Sequence, residues 1–168
     1  MNRLADQLLD LARKESPAHT KPLSAEGIVN LFQTAREAAA SVRPIAECIG
    51  RAIEIEDGAE PKVRGFPDEL RDMFRNLLDK ALTHGIGTIR IRILEREDCT
   101  ENCFIYVEGN GCVKLSENLF RQFRKGNPGS PGAGLELAIV RQVARNHGGD
   151  ATITQGRALS ICVRLPIA

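Results

Sequence analysis

The sequence predicts an α+β fold, a two-layer sandwich in which a mixed, mostly antiparallel sheet carries helices on one face. Two segments place apolar residues three and four positions apart, which is the spacing of an amphipathic helix, and they cover residues 67–82 and 135–144. Four other segments have the pattern of strands, at residues 88–94, 103–107, 151–154 and 159–165. Because the strands and helices come in groups, they are expected to form one sheet that is covered on one side.

Size and composition indicate a single domain with a short appendage, since the chain has 168 residues. Its 23 Lys and Arg residues nearly balance 22 Asp and Glu residues, and the net charge of +1 gives no electrostatic reason to expect nucleic acid or a membrane surface as partner. No apolar run approaches the roughly 20 residues that span a bilayer. The five cysteines are irregularly spaced, which is typical of reduced thiols. A cytoplasmic domain without a metal site is predicted.

The N-terminal segment is predicted to be a helix and a linker that precede the sandwich. Apolar residues recur at helical spacing over residues 2–14, and this helix is expected to end before Pro17. The next stretch is polar and has prolines at its edges, so residues 16–22 are assigned to a linker. The globular domain is therefore expected to occupy residues 23–168.

A helix and a small hairpin are predicted to open the domain. Ser24 is a suitable N-cap for apolar positions that continue at helical spacing toward Val42, and Pro44 is expected to interrupt this helix. Residues 52–56 alternate apolar and acidic side chains, and an Asp-Gly turn follows them before a second short strand at residues 62–66. These two strands are expected to pair with each other.

The helix over residues 67–82 is the clearest in the chain, because a proline suits its first position and one apolar stripe runs its whole length. After the second strand of the sheet, a loop is predicted at residues 109–113 and a short helix near residues 117–124. Residues 126–134 are rich in glycine, proline and serine, so they are expected to be mobile. The last long helix is expected to end at Gly148.

Gly132 and Gly134 stand immediately before the helix that begins at Leu135, in an arrangement that suits a phosphate group. Glycine lets the backbone approach a ligand closely, and the first amides of a helix have no partner within the helix. Alone this arrangement is weak evidence of a site, because glycines at the start of a helix are more often ordinary loop residues.

Five segments together share their order and spacing with a known family. They are residues 75–81 (RNLLDKA), 107–111 (VEGNG), 119–125 (LFRQFRK), 132–140 (GAGLELAIV) and 146–149 (NHGG). In this order they resemble the N box, the first glycine box, the phenylalanine box, the second glycine box and the closing motif of the ATP-binding catalytic domain of bacterial sensor histidine kinases. Five boxes in sequence are far more specific than a pair of glycines.

The resemblance implies a Bergerat-type ATP-binding fold, which histidine kinases share with gyrase, a heat-shock chaperone and mismatch-repair ATPases, and in which the nucleotide lies beneath a flexible lid. Residues 3–15 (RLADQLLDLARKE) also look like the end of the second dimerization helix that precedes this domain in such kinases. Residues 1–15 are therefore interpreted as the remnant of a dimerization helix, and residues 23–168 as the ATP-binding domain.

Two positions that the family uses for the metal and the base are changed in this chain. The family's N box has two polar side chains one turn apart, and the second, an asparagine, holds magnesium. Asn76 matches the first, whereas Lys80 replaces the second. An ammonium has no lone pair for a hard cation, so Lys80 is expected to be a solvated helix lysine or a substitute for the metal's charge. The family's aspartate that accepts a hydrogen bond from adenine is replaced by Gly109.

The phosphate-binding boxes are changed as well. The third glycine of the second glycine box is Glu136, whose carboxylate would repel a phosphate. The later glycine of the first glycine box is Val113, whereas Lys125 is a lid lysine that could still reach a phosphate. The residues assigned to a vestigial nucleotide site are Asn76, Lys80, Gly109, Gly111, Lys125, Gly132, Gly134 and Leu135.

These replacements favour a degenerate domain over a working kinase, although enzymatic activity stays open. Base, metal and phosphate contacts are affected together, so no resident cofactor and no magnesium are expected, and any ATP binding should be weak. The predicted function is protein contact in a two-component system, with histidine-kinase dimerization helices or a response regulator as partners and with a homodimer through a longer helix. Two alternatives remain: an active kinase that transfers the ATP γ-phosphoryl group to a histidine, and an anti-sigma-type serine kinase.

The three histidines do not supply a phosphoacceptor. In histidine kinases an acidic residue follows the phosphorylated histidine, and no such stretch occurs here. His19 lies in the linker, His84 follows the N box and His147 stands in the closing motif, so structural or surface roles are expected for all three.

Overall fold

The computed structural model describes residues 26–95, 101–110, 136–154 and 158–168. In these ranges the strands are β1 (Gly27–Asn30), β2 (Ile53–Ile55), β3 (Lys62–Gly65), β4 (Ile86–Glu95), β5 (Asn102–Asn110), β6 (Asp150–Thr154) and β7 (Ala158–Pro166). The helices are α1 (Leu31–Cys48), α2 (Pro67–His84) and α3 (Glu136–Asn146). The predicted N-terminal helix, the linker, the short helix near residues 117–124 and the segment 126–134 lie outside the described residues. None of the described helices is long and apolar enough to cross a membrane.

The main sheet has five strands in the order β2-β4-β5-β7-β6. The pairing of β2 with β4 is parallel and the other pairings are antiparallel, so the sheet is mixed and mostly antiparallel. β1 and β3 form a separate antiparallel pair, in which Val29 lies opposite Val63. The predicted α+β class is confirmed.

One face of the sheet and the inner surfaces of the helices form a single core. Every second residue of the central strands contributes to it, and Ile91 of β4, Ile105 of β5 and Val163 of β7 are fully buried. α2 packs against both α1 and α3 and buries Phe74 completely. Each such apolar side chain contributes about 1.5–3 kcal/mol when it is removed from water. The alternate residues of the strands lie on the opposite face, where Leu94 is exposed.

The helix and strand predictions from residue 67 onward are confirmed within the described ranges, with one different boundary. α2 and α3 cover the two predicted helices, and the four predicted strands lie within β4, β5, β6 and β7. Gly148 follows α3 with a left-handed φ of 76°, which suits a glycine at a helix end. Gly109 belongs to β5 rather than to the predicted loop, because it pairs with Ile89 and Leu159 on the neighbouring strands.

The first helix begins and ends later than the sequence pattern predicts. Asn30 caps α1 in place of Ser24, which lies outside the described residues, and its Oδ1 accepts a hydrogen bond from the Gln33 amide at 3.0 Å. Pro44 lies inside α1 without ending it. A proline removes the helical bond to the carbonyl four residues earlier. Because Pro44 and Ala40 are both exposed, water can satisfy that carbonyl.

The predicted hairpin between residues 52–56 and 62–66 is wrong. β2 pairs in parallel with β4, where Ile53 lies opposite Ile89, and β3 pairs with β1. An isolated hairpin is marginally stable in water, whereas β2 extends the main sheet and buries Ile53 against its core. Local alternation identifies a strand but does not identify the partner of that strand.

Candidate functional site

α2 carries the first two residues that the sequence assigns to a nucleotide site. Asn76 and Lys80 are four positions apart, so they lie one turn apart on the same side of the helix. The Asn76 side-chain amide donates a hydrogen bond to the carbonyl of Asp72 at 2.9 Å, within its own helix. Lys80 is 8% exposed, so the interpretation as a solvated helix lysine is wrong. α2 packs against two helices and the sheet, whereas a solvated lysine would lie on an open face of the helix.

Gly109, which the family resemblance assigns to the base position, lies against the end of α2. A Cβ atom on Gly109 would lie 3.6 Å from the Cα of Gly85 and 3.9 Å from the carbonyl oxygen of Ala81. Both distances are ordinary van der Waals contacts, so a Cβ atom would fit at residue 109. Lys80 directly precedes Ala81 in the chain. Gly109 therefore lies beside the C-terminal end of α2, the helix that carries Lys80.

Arg51 lies beside Gly109 at this end of α2, and sequence reasoning missed it. It lies between α1 and β2, and its guanidinium reaches the end of α2. Nη1 donates to the carbonyls of Ala81 at 3.0 Å and Leu82 at 2.8 Å, and Nε donates to the carbonyl of Gly87 at 2.7 Å. The last carbonyls of a helix are short of donors and carry the negative end of its dipole, so a guanidinium stabilises them. No local pattern predicts these contacts, since the bonded residues are 30 to 36 positions apart.

The third nitrogen of this guanidinium, Arg51 Nη2, is buried and has no hydrogen-bond partner among the described residues. It lies 3.7 Å from the place that a Cβ on Gly109 would occupy, and 3.1 Å from the corresponding place on Gly85. Burial lowers the pKa of the Arg51 guanidinium. Arginine nevertheless stays protonated in proteins. The polar group beside the base position is therefore a positively charged hydrogen-bond donor.

The closing motif has the structural role expected for its histidine. His147 is 8% exposed, its Nε2 accepts a hydrogen bond from the Phe66 amide at 3.1 Å, and its Nδ1 lies 2.8 Å from the Val143 carbonyl. Because an amide can only donate to an unprotonated nitrogen, we assign the proton to Nδ1, which donates to Val143. Gly65 leaves the space that the imidazole fills. The ring therefore joins α3 to the junction of β3 and α2.

The described cysteines and carboxylates do not form a metal centre. Over residues 26–95, 101–110, 136–154 and 158–168, no group of three or more His, Cys, Asp or Glu side chains could hold a metal ion. Cys103 and Cys162 are free and buried, and burial raises the pKa of the Cys103 thiol to about 11. A thiol with such a pKa is protonated and unreactive at neutral pH.

The remaining residues assigned to the nucleotide site cannot be placed in this geometry. Gly111, Lys125, Gly132, Gly134 and Leu135 lie outside the described residues. The described part of the predicted site therefore comprises Asn76 and Lys80 on α2 and Gly109 on β5, with the Arg51 guanidinium bonded to the end of α2.

The sequence matches a known protein family and is similar to sensor proteins of bacteria. Residues 65–168 match the family described as histidine kinase-, DNA gyrase B- and HSP90-like ATPases. The chain is 31% identical over 163 residues to the sensor protein SphS of Synechococcus elongatus, with 89% of this chain and 38% of that protein covered. It is 32% identical over 161 residues to a probable sensor histidine kinase of Mycobacterium tuberculosis, with 92% of this chain and 40% of that protein covered. The chain thus spans about two fifths of the length of these relatives.

Solved structures of histidine kinases have the same fold. The histidine kinase AdeS of Acinetobacter baumannii gives a TM-score of 0.77 at 15% identity, over 98% of this chain and 77% of that chain. Full-length ShkA in complex with AMPPNP gives a TM-score of 0.79 at 20% identity, over 98% of this chain and 35% of that chain. The chain belongs to the family of histidine kinase-, DNA gyrase B- and HSP90-like ATPases and resembles, within it, the ATP-binding catalytic domains of sensor histidine kinases.

Proposed function

We propose that this chain is the ATP-binding domain of a two-component sensor protein, that it lacks tight Mg-ATP binding, and that it works by protein contact in the cytoplasm. Membership of the family and similarity to sensor proteins support the two-component context. The observation that carries the loss of Mg-ATP binding is Lys80, a buried lysine at the position where the family has its magnesium-binding asparagine.

Lys80 opposes metal binding in two ways. Its ammonium has three donors and no lone pair, whereas magnesium requires oxygen ligands. Its positive charge also repels a cation placed beside it, and this repulsion is stronger in a buried site than in water. Without magnesium, the triphosphate loses its main neutralising charge. We therefore propose that magnesium is not a cofactor of this domain.

Gly109 opposes recognition of the base. It has no carboxylate that could accept a hydrogen bond from the adenine amino group, and the nearest side-chain nitrogen, Arg51 Nη2, is a donor. Leaving one buried polar group unpaired costs about 1–3 kcal/mol. This cost corresponds to a loss of roughly tenfold to a hundredfold in affinity. Because base and metal contacts are missing together, ATP binding should be weak at most.

The proposed partners are protein surfaces of the same signalling system. The relatives are named as sensor proteins and sensor histidine kinases. The resemblance to sensor histidine kinases implies dimerization helices and a response regulator as partners. Either of these is proposed to contact this domain, and a homodimer through a longer helix is proposed as the assembly. The helices pack on the sheet in one continuous core, which supports a rigid scaffold for such a contact surface.

Thermal unfolding with ATP tests the proposal. A ligand present at one hundred times its Kd raises the free energy of unfolding by about 2.7 kcal/mol. For a domain of this size, that stabilisation raises Tm by about 5–10 °C. We expect no such rise with millimolar ATP, either with magnesium or with EDTA, whereas a kinase domain that has the family's aspartate and asparagine should show it with magnesium. A clear rise for this domain with Mg-ATP would overturn the proposal.

An active kinase is the second candidate, and the burial of Lys80 favours one form of it. A lysine near the phosphates could replace the charge of the metal, so that ATP binds without magnesium. In that case ATP should stabilise the domain in EDTA, and Lys80→Gln should abolish the effect. Lys62→Gln is the matched control, because Lys62 is exposed on β3. Stabilisation in EDTA that depends on Lys80 but not on Lys62 would establish metal-independent binding.

A further inference from the structure

Arg51 is held in a fixed position beside Gly109. Its Nε and Nη1 atoms donate to three carbonyls of α2 and β4 at 2.7–3.0 Å. Because a guanidinium is planar, fixing these two nitrogens also fixes Nη2. Nη2 then lies next to the base position, buried and without a partner in the described part of the chain.

Recognition of adenine requires an acceptor at this place, whereas the chain provides a donor. The aspartate expected from the family resemblance would accept a hydrogen bond from the adenine amino group. An amino group that faced Arg51 Nη2 would bring two donors together and leave both unpaired. We infer that Arg51 is a specificity-determining residue that reverses the polarity of the base position and excludes adenine. This inference deepens the proposed function and rests on it.

The same geometry predicts that Arg51 would bind a carboxylate introduced at residue 109. The nearest atoms to a Cβ on Gly109 are at 3.6 Å or more, and Gly109 is not among the glycines with positive φ, so a Cβ atom fits there without strain. The oxygens of an aspartate lie roughly 2.4 Å beyond its Cβ. Since Nη2 is 3.7 Å from that Cβ, a charge-assisted hydrogen bond is within reach. Arg51 would then bind the carboxylate, which would no longer be available to accept a hydrogen bond from a base.

A double-mutant cycle tests this hydrogen bond without any nucleotide, with the unfolding equilibrium constant measured in urea. The four chains are wild type, Gly109→Asp, Arg51→Gln and the double variant, and Gly109→Asn controls for an added side chain without charge. We expect Gly109→Asp to lower the unfolding equilibrium constant about tenfold when Arg51 is present. The effect should be largely absent in the Arg51→Gln background and in Gly109→Asn. An equal effect of Gly109→Asp in both backgrounds would overturn the inference.

A second variant keeps the cycle usable if Arg51→Gln does not fold. Arg51→Lys retains a charged donor for the carbonyls at the end of α2, but it lacks the second nitrogen that lies beside Gly109. The stabilising effect of Gly109→Asp on the unfolding equilibrium constant should therefore be at least about threefold smaller in the Arg51→Lys background than with Arg51. Full coupling with lysine at residue 51 would contradict the assignment to Nη2.

Nucleotide binding separates this inference from the proposed function. The first chain carries Lys80→Asn, Glu136→Gly and Gly109→Asp and keeps Arg51, and the second chain carries Arg51→Gln in addition. The second chain should bind ATP at least about tenfold more tightly than the first. Equal ATP affinities in these two chains would contradict the inference about Arg51 alone. Tight Mg-ATP binding by the wild-type domain would instead contradict the proposed function itself.

Discussion

Replacement of Gly65 by alanine should disrupt the junction between β3 and the closing motif. A Cβ atom on Gly65 would overlap the Cδ2 and Nε2 atoms of His147, so the imidazole would have to move. The ring cannot move freely, because Nε2 is bonded to the Phe66 amide and Nδ1 to the Val143 carbonyl. It is also buried at 8% exposure, so no open space is available beside it.

The expected loss of stability has two parts. Loss of the two hydrogen bonds of the His147 ring costs about 1 kcal/mol each. Forcing an additional methyl group into a packed site costs about 1–3 kcal/mol. The free energy of unfolding of Gly65→Ala should therefore fall by about 3–5 kcal/mol, which lowers Tm by about 10 °C.

Urea unfolding followed by circular dichroism measures this loss. Gly58→Ala is the matched control, because a Cβ there would meet only the Ile93 carbonyl oxygen at 3.4 Å. The control should stay within about 0.5 kcal/mol of wild type. Because His147→Ala removes the clashing ring, adding Gly65→Ala to it should cost little more. If Gly65→Ala were as benign as Gly58→Ala, the steric reasoning would be refuted.

Two further predictions concern polar and helical surface positions. The hydrogen bond from Arg141 at 2.8 Å lowers the pKa of the Asp150 carboxyl to about 2, with smaller contributions from the Ala151 amide, the charge of Arg141 and Arg145. Because this pKa lies below the ordinary value of 3.8, the stabilisation is present above about pH 4 and is lost as pH falls toward 2. The free energy of unfolding of Asp150→Asn should be about 1 kcal/mol lower than that of wild type at neutral pH, a small loss because solvent screens the exposed ion pair. Below about pH 4, the free energy of unfolding of this variant should depend less steeply on pH than that of wild type. An equally steep dependence would contradict this. Pro44→Ala should restore the helical hydrogen bond from the amide of residue 44 to the carbonyl of residue 40 and raise the free energy of unfolding by about 1–2 kcal/mol. An unchanged urea midpoint would contradict this prediction.

The elements with local signals could be predicted from the sequence. Ile89, Ile91 and Ile93 alternate with polar residues, and all three are buried in the core. The partner of β2 could not be predicted, because the pattern around Ile53 is the same whether the strand pairs with β3 or β4. The start of α1 was equally ambiguous, since Asn30 is as good an N-cap as the predicted one.

The candidate site was only partly accessible to sequence reasoning. The family resemblance singled out Lys80 and Gly109, and the structure places Lys80 on α2 and Gly109 on β5, beside the end of α2. The burial of Lys80 is a property of the tertiary structure, in which α2 packs against α1, α3 and the sheet, and no local pattern encodes it. Arg51 was missed for the same reason, because its role arises from bonds to carbonyls that are 30 or more residues away in the chain.

Calorimetric titration of Mg-ATP into the wild-type domain tests most directly whether the nucleotide site has lost its affinity. With Lys80 at the metal position and Arg51 beside Gly109, we expect no heat beyond that of dilution. Magnesium-dependent binding with a micromolar Kd would show that the metal and base positions still hold ATP, and would contradict the proposed loss.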